Sequence, residues 1–380
     1  MITPDGRERE KSVLFWTSVL VSFVLLVHNG TEPVFLVAYA LLPIVVFLFH
    51  KKQSPWPLVV YLLVFGALGR YTRYFRENYA SDALLATRDY LGYFLSGRHP
   101  YKEMIMAQSG LTPFTYLPFS LFWYAPAQIF GVDLRFFEMV VSTAVPVVFA
   151  LVGWAVGSLW QILPALSVVA LTPFLLDLGS DGSNDNSAIF LLLVSIALLL
   201  IAHRKKDSRW GLASAVSLGL AAAFKHYLAF YLLYFVPYAY VQRTIAYLPR
   251  NRYLLVLAGT LAVVFLPFIL TAPAGFWRSI HFIEISNWHK TWGWNVWVAI
   301  RDGLGLVVSK EMMWVTRTAL TLGTIAWCFR FLKLARIRSV FIATGVTMLV
   351  YLILSNWTSY AYFTFLVPIL ALAAVFDDNR

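Results

Sequence analysis

Residues 70–113 read RYTRYFRENYASDALLATRDYLGYFLSGRHPYKEMIMAQSGLTP, with strongly hydrophobic runs on both sides. Charged side chains are costly inside a bilayer and cheap at its surface, so this polar break is expected to be an aqueous loop, 71–112, between membrane spans. Loops that only connect helices are usually short. This one is long, and it carries carboxylates, arginines and aromatics at helix-like spacing. A structured loop of that kind above a bundle of spans points to chemistry at the membrane surface.

The rest of the chain supports the membrane setting. Of 380 residues, 60% are hydrophobic and only 13% charged, where soluble domains carry roughly a quarter charged residues. A span needs roughly 17–25 apolar residues. Apolar runs at 13–28, 33–50, 56–71, 113–130, 136–157, 161–177, 187–203, 210–228, 229–242, 253–271, 313–331, 338–355 and 357–376 predict an all-α polytopic bundle of about 11–13 spans. Three units are expected: an N-terminal hairpin of spans at 1–55, a transmembrane module at 56–271 carrying the outer loop, and 272–380 with an outer Trp/His-rich segment and the last helices.

The net charge of +11 reflects topology first and contact with anionic lipid head groups second. Arg7, Arg9 and Lys11, Lys51–Lys52, Arg204–Lys205–Lys206, Arg243 with Arg250 and Arg252, and Lys333 with Arg336 and Arg338 all fall in short loops, which marks the cytoplasmic side. That assignment gathers 71–112, 179–186 and 272–312 on the outer face. It also requires an odd number of crossings in 136–177. Pro164 and Pro173 interrupt the second run there, so a broken or re-entrant helix is expected at 161–177. No soluble segment has a basic stripe with stacking aromatics, which excludes a nucleic-acid binder. The single Cys328 sits in an apolar run and excludes an intramolecular disulfide. The polar N-terminus lacks a small-residue cleavage site, so the first span is expected to remain as an anchor.

Several polar residues are candidates for chemistry. Asp82 lies beside an apolar run, where a carboxylate can act as a base; as a helix start beside Ser81 it equally fits a capping role. Asp89, seven residues on, is either its partner or half of a surface pair with Arg88. Gly97-Arg98-His99-Pro100-Tyr101 has the composition of a helix stop, and Arg98 and His99 also suit an anion. Tyr116 fits the interfacial aromatic belt. Asn184 and Asp185, in Gly179–Asn186, either cap the next helix or hold a polar ligand. The segment lacks the distal Glu of a calcium loop. Lys225 and His226 are either snorkelling residues or ligands for a lipid phosphate. His281, Glu284, His289 and Lys290 lie in the Trp-rich segment, which reads as an interfacial helix or a substrate contact. No zinc-ligand pattern is present.

Asp82, the aromatic- and Leu-rich run after it, Gly97-x-x-Pro100-Tyr101 and Pro113-Phe114-Thr115-Tyr116-Leu117-Pro118 together resemble the first outer loop of GT-C glycosyltransferases. Among these, the resemblance is to the polyprenyl-phosphate-mannose-dependent mannosyltransferases. Ser183-Asn184-Asp185-Asn186, the basic loop, Gly211 and Lys225 extend the similarity over 56–230. Leu117 replaces the first proline of the Y-P-P-like pair that the family carries, and two extra spans precede the module. The resemblance implies a GT-C fold and an outward-facing site. It implies transfer of a hexose, mannose in that branch, from a polyprenyl-phosphate donor to a lipid or glycan acceptor, with inversion and with Asp82 as the general base. Substrate contacts are then expected from Asp89, Arg98, His99, Tyr101, Tyr116, Asn184, Asp185, Lys225, His226, His281 and His289, with Lys225, Arg98 and His226 stabilising the leaving phosphate. Neither a cofactor nor a metal is expected, and the location implied is a cell membrane. A lipid or small-solute transporter is the competing reading. It predicts repeat halves and midplane charges, and neither is evident in the sequence.

Overall fold

The computed structural model describes residues 33–51, 54–76, 82–107, 110–156, 159–242, 244–245, 247–282 and 291–376, with isolated positions between 13 and 24. Among these residues the protein is all-α. The helices are α1 Pro33–Lys51, α2 Trp56–Arg76, α3 Asp82–Leu95, α4 Phe119–Ile129, α5 Leu134–Val156, α6 Leu159–Leu171, α7 Pro173–Ser180 and α8 Asp185–Lys205. They continue as α9 Ser208–Ala222, α10 Leu228–Val241, α11 Arg250–Thr271, α12 Pro273–Ile280, α13 Val296–Leu304, α14 Lys310–Phe331, α15 Ile337–Ile353 and α16 Phe363–Val375. Three small two-stranded pairings accompany them: β1 Met104–Ala107 with β2 Gly110–Pro113, β3 Thr244–Ile245 with β4 Leu248–Pro249, and β5 Trp292–Gly293 with β6 Trp357–Thr358.

By length and composition, α5, α8 and α11 are each long and apolar enough to cross a bilayer, and α6 with α7 makes a fourth if the bent pair is one span. Shorter apolar helices cover Leu36–Leu48, Leu228–Val241, Ile337–Ile353 and Phe363–Ala374. The apolar runs are therefore helical, but many are cut shorter than the sequence suggests. Pro173 accounts for one such cut, because proline lacks the N–H that continues the ladder. The run at 113–130 is the clearest correction: residues 110–113 are strand, and only Phe119–Ile129, 11 residues, is helix. The break expected within 161–177 lies at Thr172, where Ile162–Leu171 and Pro173–Ser180 bend by 50°.

The bundle is organised around α8, which packs between α5 and α9 and also meets α16. Helix α2 lies against α5, α6 and α7, and α15 against α10, α14 and α16. By contrast α11 turns Leu255, Val263 and Leu270 outward, as a helix facing lipid does.

The segment 71–112 is partly helix and partly hairpin. Its first residues are not aqueous: α2 continues to Arg76 and buries Arg70 and Arg73, at 2% and 7% exposure. The run after Asp82 forms α3, which packs on α4 and β1. The helix stops as its composition predicts. Gly97 takes φ +79°, the Arg98 N–H donates to Tyr93 O and the Gly97 N–H to Phe94 O, which is a Schellman motif with glycine at C′. Helix α12 seats against the following turn only because residue 275 is glycine: a Cβ there would lie 2.1 Å from Tyr101 O.

Candidate functional site

Asp82 is the first residue of α3; its side chain lies outside the described residues, as do Glu284, His289 and Lys290 altogether. Asp89 is half exposed and 3.6 Å from Arg88, a surface pair. Arg98 forms an exposed two-pronged pair with Glu103 (3.1 and 2.6 Å) and lies over the Tyr93 ring. The Glu103 carboxylate raises the Arg98 pKa. Tyr101, expected to touch substrate, is fully buried. It packs among Phe114, Phe268 and Phe276 and donates its hydroxyl to Tyr116 O at 2.6 Å. Its part is to fasten the hairpin to α11 and α12.

His99 is also held structurally. Its Nε2 lies 2.8 Å from Thr271 Oγ1, and the Thr271 hydroxyl donates to Pro267 O. Thr271 therefore accepts, and His99 carries its proton on Nε2. Burial, helped by nearby Lys102, lowers the His99 pKa and favours this neutral form.

The interior brings together residues far apart in sequence. Lys225 stands in the turn between α9 and α10, and Asp185 opens α8. Both are buried, and the Lys225 ammonium lies 3.3 Å from Asp185 Oδ1 and 3.4 Å from Oδ2. Tyr227 donates its hydroxyl to Asp185 Oδ1. The Lys225 ammonium also sits 5.1 Å from the Tyr116 ring centre, a cation–π distance. The N–H of Phe119, at the start of α4, donates to Ala223 O and ties the two corners together. Asn184 occupies the N-cap position of α8 without a capping bond from its side chain. It is fully buried, and neither amide atom has a hydrogen-bond partner among the described residues.

One turn along the same helices lies Glu138 of α5, fully buried. Tyr124 and Ser187 both donate hydroxyls to its Oε1, and Trp123 Nε1 donates to Ser187 Oγ at 2.8 Å. Glu138 Oε2 has no partner among the described residues. The sequence reading passed over Glu138, although an ionisable residue inside a span is a site candidate in its own right.

A second polar knot surrounds the α6–α7 break. Arg70 donates through Nε to Ser142 Oγ (2.7 Å), through Nη1 to Gly66 O and Ala170 O (3.1 Å each) and through Nη2 to Val169 O (3.3 Å). Arg73 pairs with Asp177, and Arg135 donates to Ser180 O at 2.6 Å and Tyr74 O at 2.8 Å. These guanidinium groups satisfy carbonyls that lose helical partners where the chain breaks.

Two adjoining clefts, of about 440 and 560 Å³, flank α3 and share Arg88 and Gln128. The first is lined by Leu84, Leu85, Asp133 and Arg135, the second by Asp89, Tyr93 and the β1 residues Met104–Met106. His226 is exposed beside Tyr227, and His281 stacks on Trp277 with ring centres 3.8 Å apart. The structure thus gathers Asn184, Asp185, Lys225 and Tyr116 and leaves Asp89, Arg98 and His281 outside that group. Among the described residues no three His, Cys, Asp or Glu side chains meet in a way that holds a metal ion.

No curated protein and no solved structure matches the chain. A family model does, over residues 114–286. That segment runs from Phe114 through Glu138, Asp185 and Lys225 into the Trp- and His-rich stretch, so it holds the interior cluster whole. The model is that of dolichyl-phosphate-mannose-protein mannosyltransferase; its match takes in the buried ionisable cluster and spans under half of the chain.

Proposed function

We propose that the protein transfers mannose from a polyprenyl-phosphate donor to a hydroxyl of a lipid or glycan acceptor at the outer face of a cell membrane. The observation that carries this reading is the family domain at 114–286 set against α3, which begins at Asp82 and lines an open cleft with Leu84, Leu85 and Arg88. In the proposed step Asp82 removes the proton of the acceptor hydroxyl while that oxygen attacks the anomeric carbon. The bond from that carbon to the phosphate oxygen breaks, the electron pair leaves with the polyprenyl phosphate, and the configuration inverts. One base suffices, because a phosphate leaves without protonation. A single phosphate diester also needs no metal to hold two phosphates together, so we propose metal-independent transfer.

The cationic help for the leaving group is constrained by the ion pairs. Arg98 is engaged by Glu103 and Lys225 by Asp185. Lys225 therefore acts in a nearly neutral cluster that orients polar groups, and its net positive field at a distance is small.

The test is incubation of purified protein with radiolabelled polyprenyl-phosphate mannose and, in parallel, a membrane lipid extract, an oligosaccharide and a Ser/Thr peptide. Label should pass to the lipid extract or the oligosaccharide, unaffected by EDTA, and Asp82→Ala and Asp82→Asn should abolish transfer. Full activity in both variants removes Asp82 from the mechanism. Passage of a solute across proteoliposomes with no label transfer would replace the enzyme with a transporter.

A further inference from the structure

We propose that the two clefts along α3 form one acceptor groove, and that its occupant is a neutral oligosaccharide. The helix positions that line them are 84 and 85, 88 and 89, and 92 and 93. These recur every four residues and so form one stripe along the helix. From Leu84 to Tyr93 the stripe is about 13 Å long, at 1.5 Å per residue. The clefts, about 440 and 560 Å³, each fall in the range of small-molecule sites, and Arg88 and Gln128 line both and join them. The groove starts at the end of α3 that carries Asp82, so an oligosaccharide lying in it presents one end to the proposed base.

The lining sets the ligand class. Its charged members among the described residues are Arg88 and Arg135 against Asp89 and Asp133. The formal charge cancels, so neither a phosphate nor an ammonium is favoured. What remains is donors set beside acceptors. Arg88 Nε stands 3.6 Å from Asp89 Oδ1, with both side chains at least half exposed. That is longer than a hydrogen bond, and both groups keep capacity for a ligand. Two hydroxyls on neighbouring sugar carbons, each both donor and acceptor, match such a pair, and the Gln128 amide offers both functions again. An extended peptide carries few neighbouring hydroxyls and uses the pair less. In the first cleft Asp133 is held by the Arg135 N–H at 2.7 Å, and Arg135 by its bonds to Ser180 O and Tyr74 O. In the second, Tyr93 lends an aromatic surface for the C–H face of a ring, its own position set by the Arg98 guanidinium 4.2 Å from its centre.

Gly92 is the independent sign. It lies inside α3, where glycine weakens a helix relative to alanine. Its φ is not positive, and a Cβ added there would meet nothing within 4 Å. Neither backbone conformation nor a close neighbour therefore accounts for the glycine. Its place on the wall of the second cleft does, because a large side chain at that position would fill the groove. The groove rests on the transferase reading only in being named the acceptor side; binding of the sugar is independent of it.

The test is titration of the full chain in detergent, followed by saturation-transfer NMR. Probes are a neutral mannose trisaccharide, the same trisaccharide ending in a uronic acid, and a Ser/Thr peptide. The neutral trisaccharide should bind most tightly. Arg88→Ala, on the surface, should weaken it about tenfold, the loss of one charge-assisted hydrogen bond. Gly92→Phe should abolish binding, whereas Gly92→Ala should bind as the parent does. Both Gly92 variants should melt no lower than the parent, because glycine is the poorer helix former. Binding of the trisaccharide by Gly92→Phe within twofold of the parent overturns the proposal, as does tighter binding of the peptide or the acidic sugar. If Gly92→Phe loses the trisaccharide while the parent transfers no mannose to any acceptor, the groove stands and the transferase reading falls. If Gly92→Phe transfers mannose to a lipid extract as fast as the parent, the transferase reading stands and the groove falls.

Discussion

The ion pair between Lys225 and Asp185 gives the sharpest prediction. At 3.3 Å the Coulomb attraction is about 5 kcal/mol at an effective dielectric of 20. That is comparable to what burial of two ions costs, so the pair as a whole adds little net stability, while either ion left alone is expensive. Removing one member of a buried pair costs roughly 3–5 kcal/mol. Among the described residues, Lys225→Met leaves the buried Asp185 carboxylate with the Tyr227 hydroxyl, and Asp185→Asn leaves the ammonium with the ring faces of Tyr116 and Tyr227. For a chain longer than 250 residues each kcal/mol shifts the melting midpoint by about 2 °C or less, so each single variant should melt lower by at most roughly 6–10 °C. The double variant Lys225→Met/Asp185→Asn should recover most of that loss, because no uncompensated charge remains. The assay is thermal unfolding in detergent for all four proteins, with transferase activity measured alongside at a temperature where all are folded. Additive losses in the double variant would refute the pairing argument. A double variant that regains stability but binds donor poorly would show that Lys225 contacts substrate as well as Asp185.

Other substitutions test the surrounding chemistry. Glu138→Gln keeps an oxygen acceptor for Tyr124 and Ser187 and should be tolerated, whereas Glu138→Ala strands both hydroxyls at about 1–3 kcal/mol each, read as a lower melting midpoint in detergent. Gly179→Ala places a Cβ 2.3 Å from Ser142 Oγ and 3.1 Å from Arg70 Nε, an overpacking cost of about 1–3 kcal/mol that should appear as lost yield of folded protein and be partly relieved by Ser142→Ala. His99 has a lowered pKa from burial, with Lys102 contributing, so the unfolded chain takes up its proton first as pH falls. Its contribution to stability is intact above the ordinary value of about 6.5 and is lost as pH drops through the lowered value; His99→Gln should flatten that part of a melting-against-pH profile.

The sequence made the helices legible because apolar length and proline position act locally. Of the two prolines expected to interrupt 161–177, Pro173 lies at the break while Pro164 sits inside α6, and Gly97 located the end of α3, since a Schellman motif needs a residue that accepts positive φ. The β1–β2 hairpin was not legible: Met104-Ile105-Met106-Ala107 is too short an apolar run to separate strand from helix. Nor was the burial of Arg70. A basic residue at the end of an apolar run reads as a surface residue, and the distant Ser142 hydroxyl with the Val169 and Ala170 carbonyls helps to offset the cost of its burial. Lys225 and Asp185 were each visible as candidates, but their pairing, forty residues apart, was not. Asp82 was singled out over Asp89 by resemblance, and the surface pairing of Asp89 with Arg88 adds a physical reason to set it aside.

The polar interior follows from where the helices break. Between α6 and α7, between α7 and α8, between α9 and α10, and at the start of α4, the chain loses regular backbone pairing within the bundle. Each break leaves N–H or C=O groups that lipid cannot satisfy. Arg70, Arg73 and Arg135 serve the breaks around α7, and Phe119 N–H to Ala223 O joins two others. Once such polarity is buried, adding Asp185, Lys225 and Glu138 costs less than it would against intact helices, because donors and acceptors stand close by to pair with them. The buried polar cluster thus arises where helices end, and straightening the bundle to remove the breaks would remove the groups that pair with it. Replacing Thr172-Pro173 by Ala-Ala puts this to a direct test. A continuous α6–α7 helix would withdraw the Val169 and Ala170 carbonyls from Arg70 and leave its guanidinium with only part of its hydrogen bonds. The variant should therefore lose stability despite its better helix propensity, and a gain in melting midpoint would sink the argument.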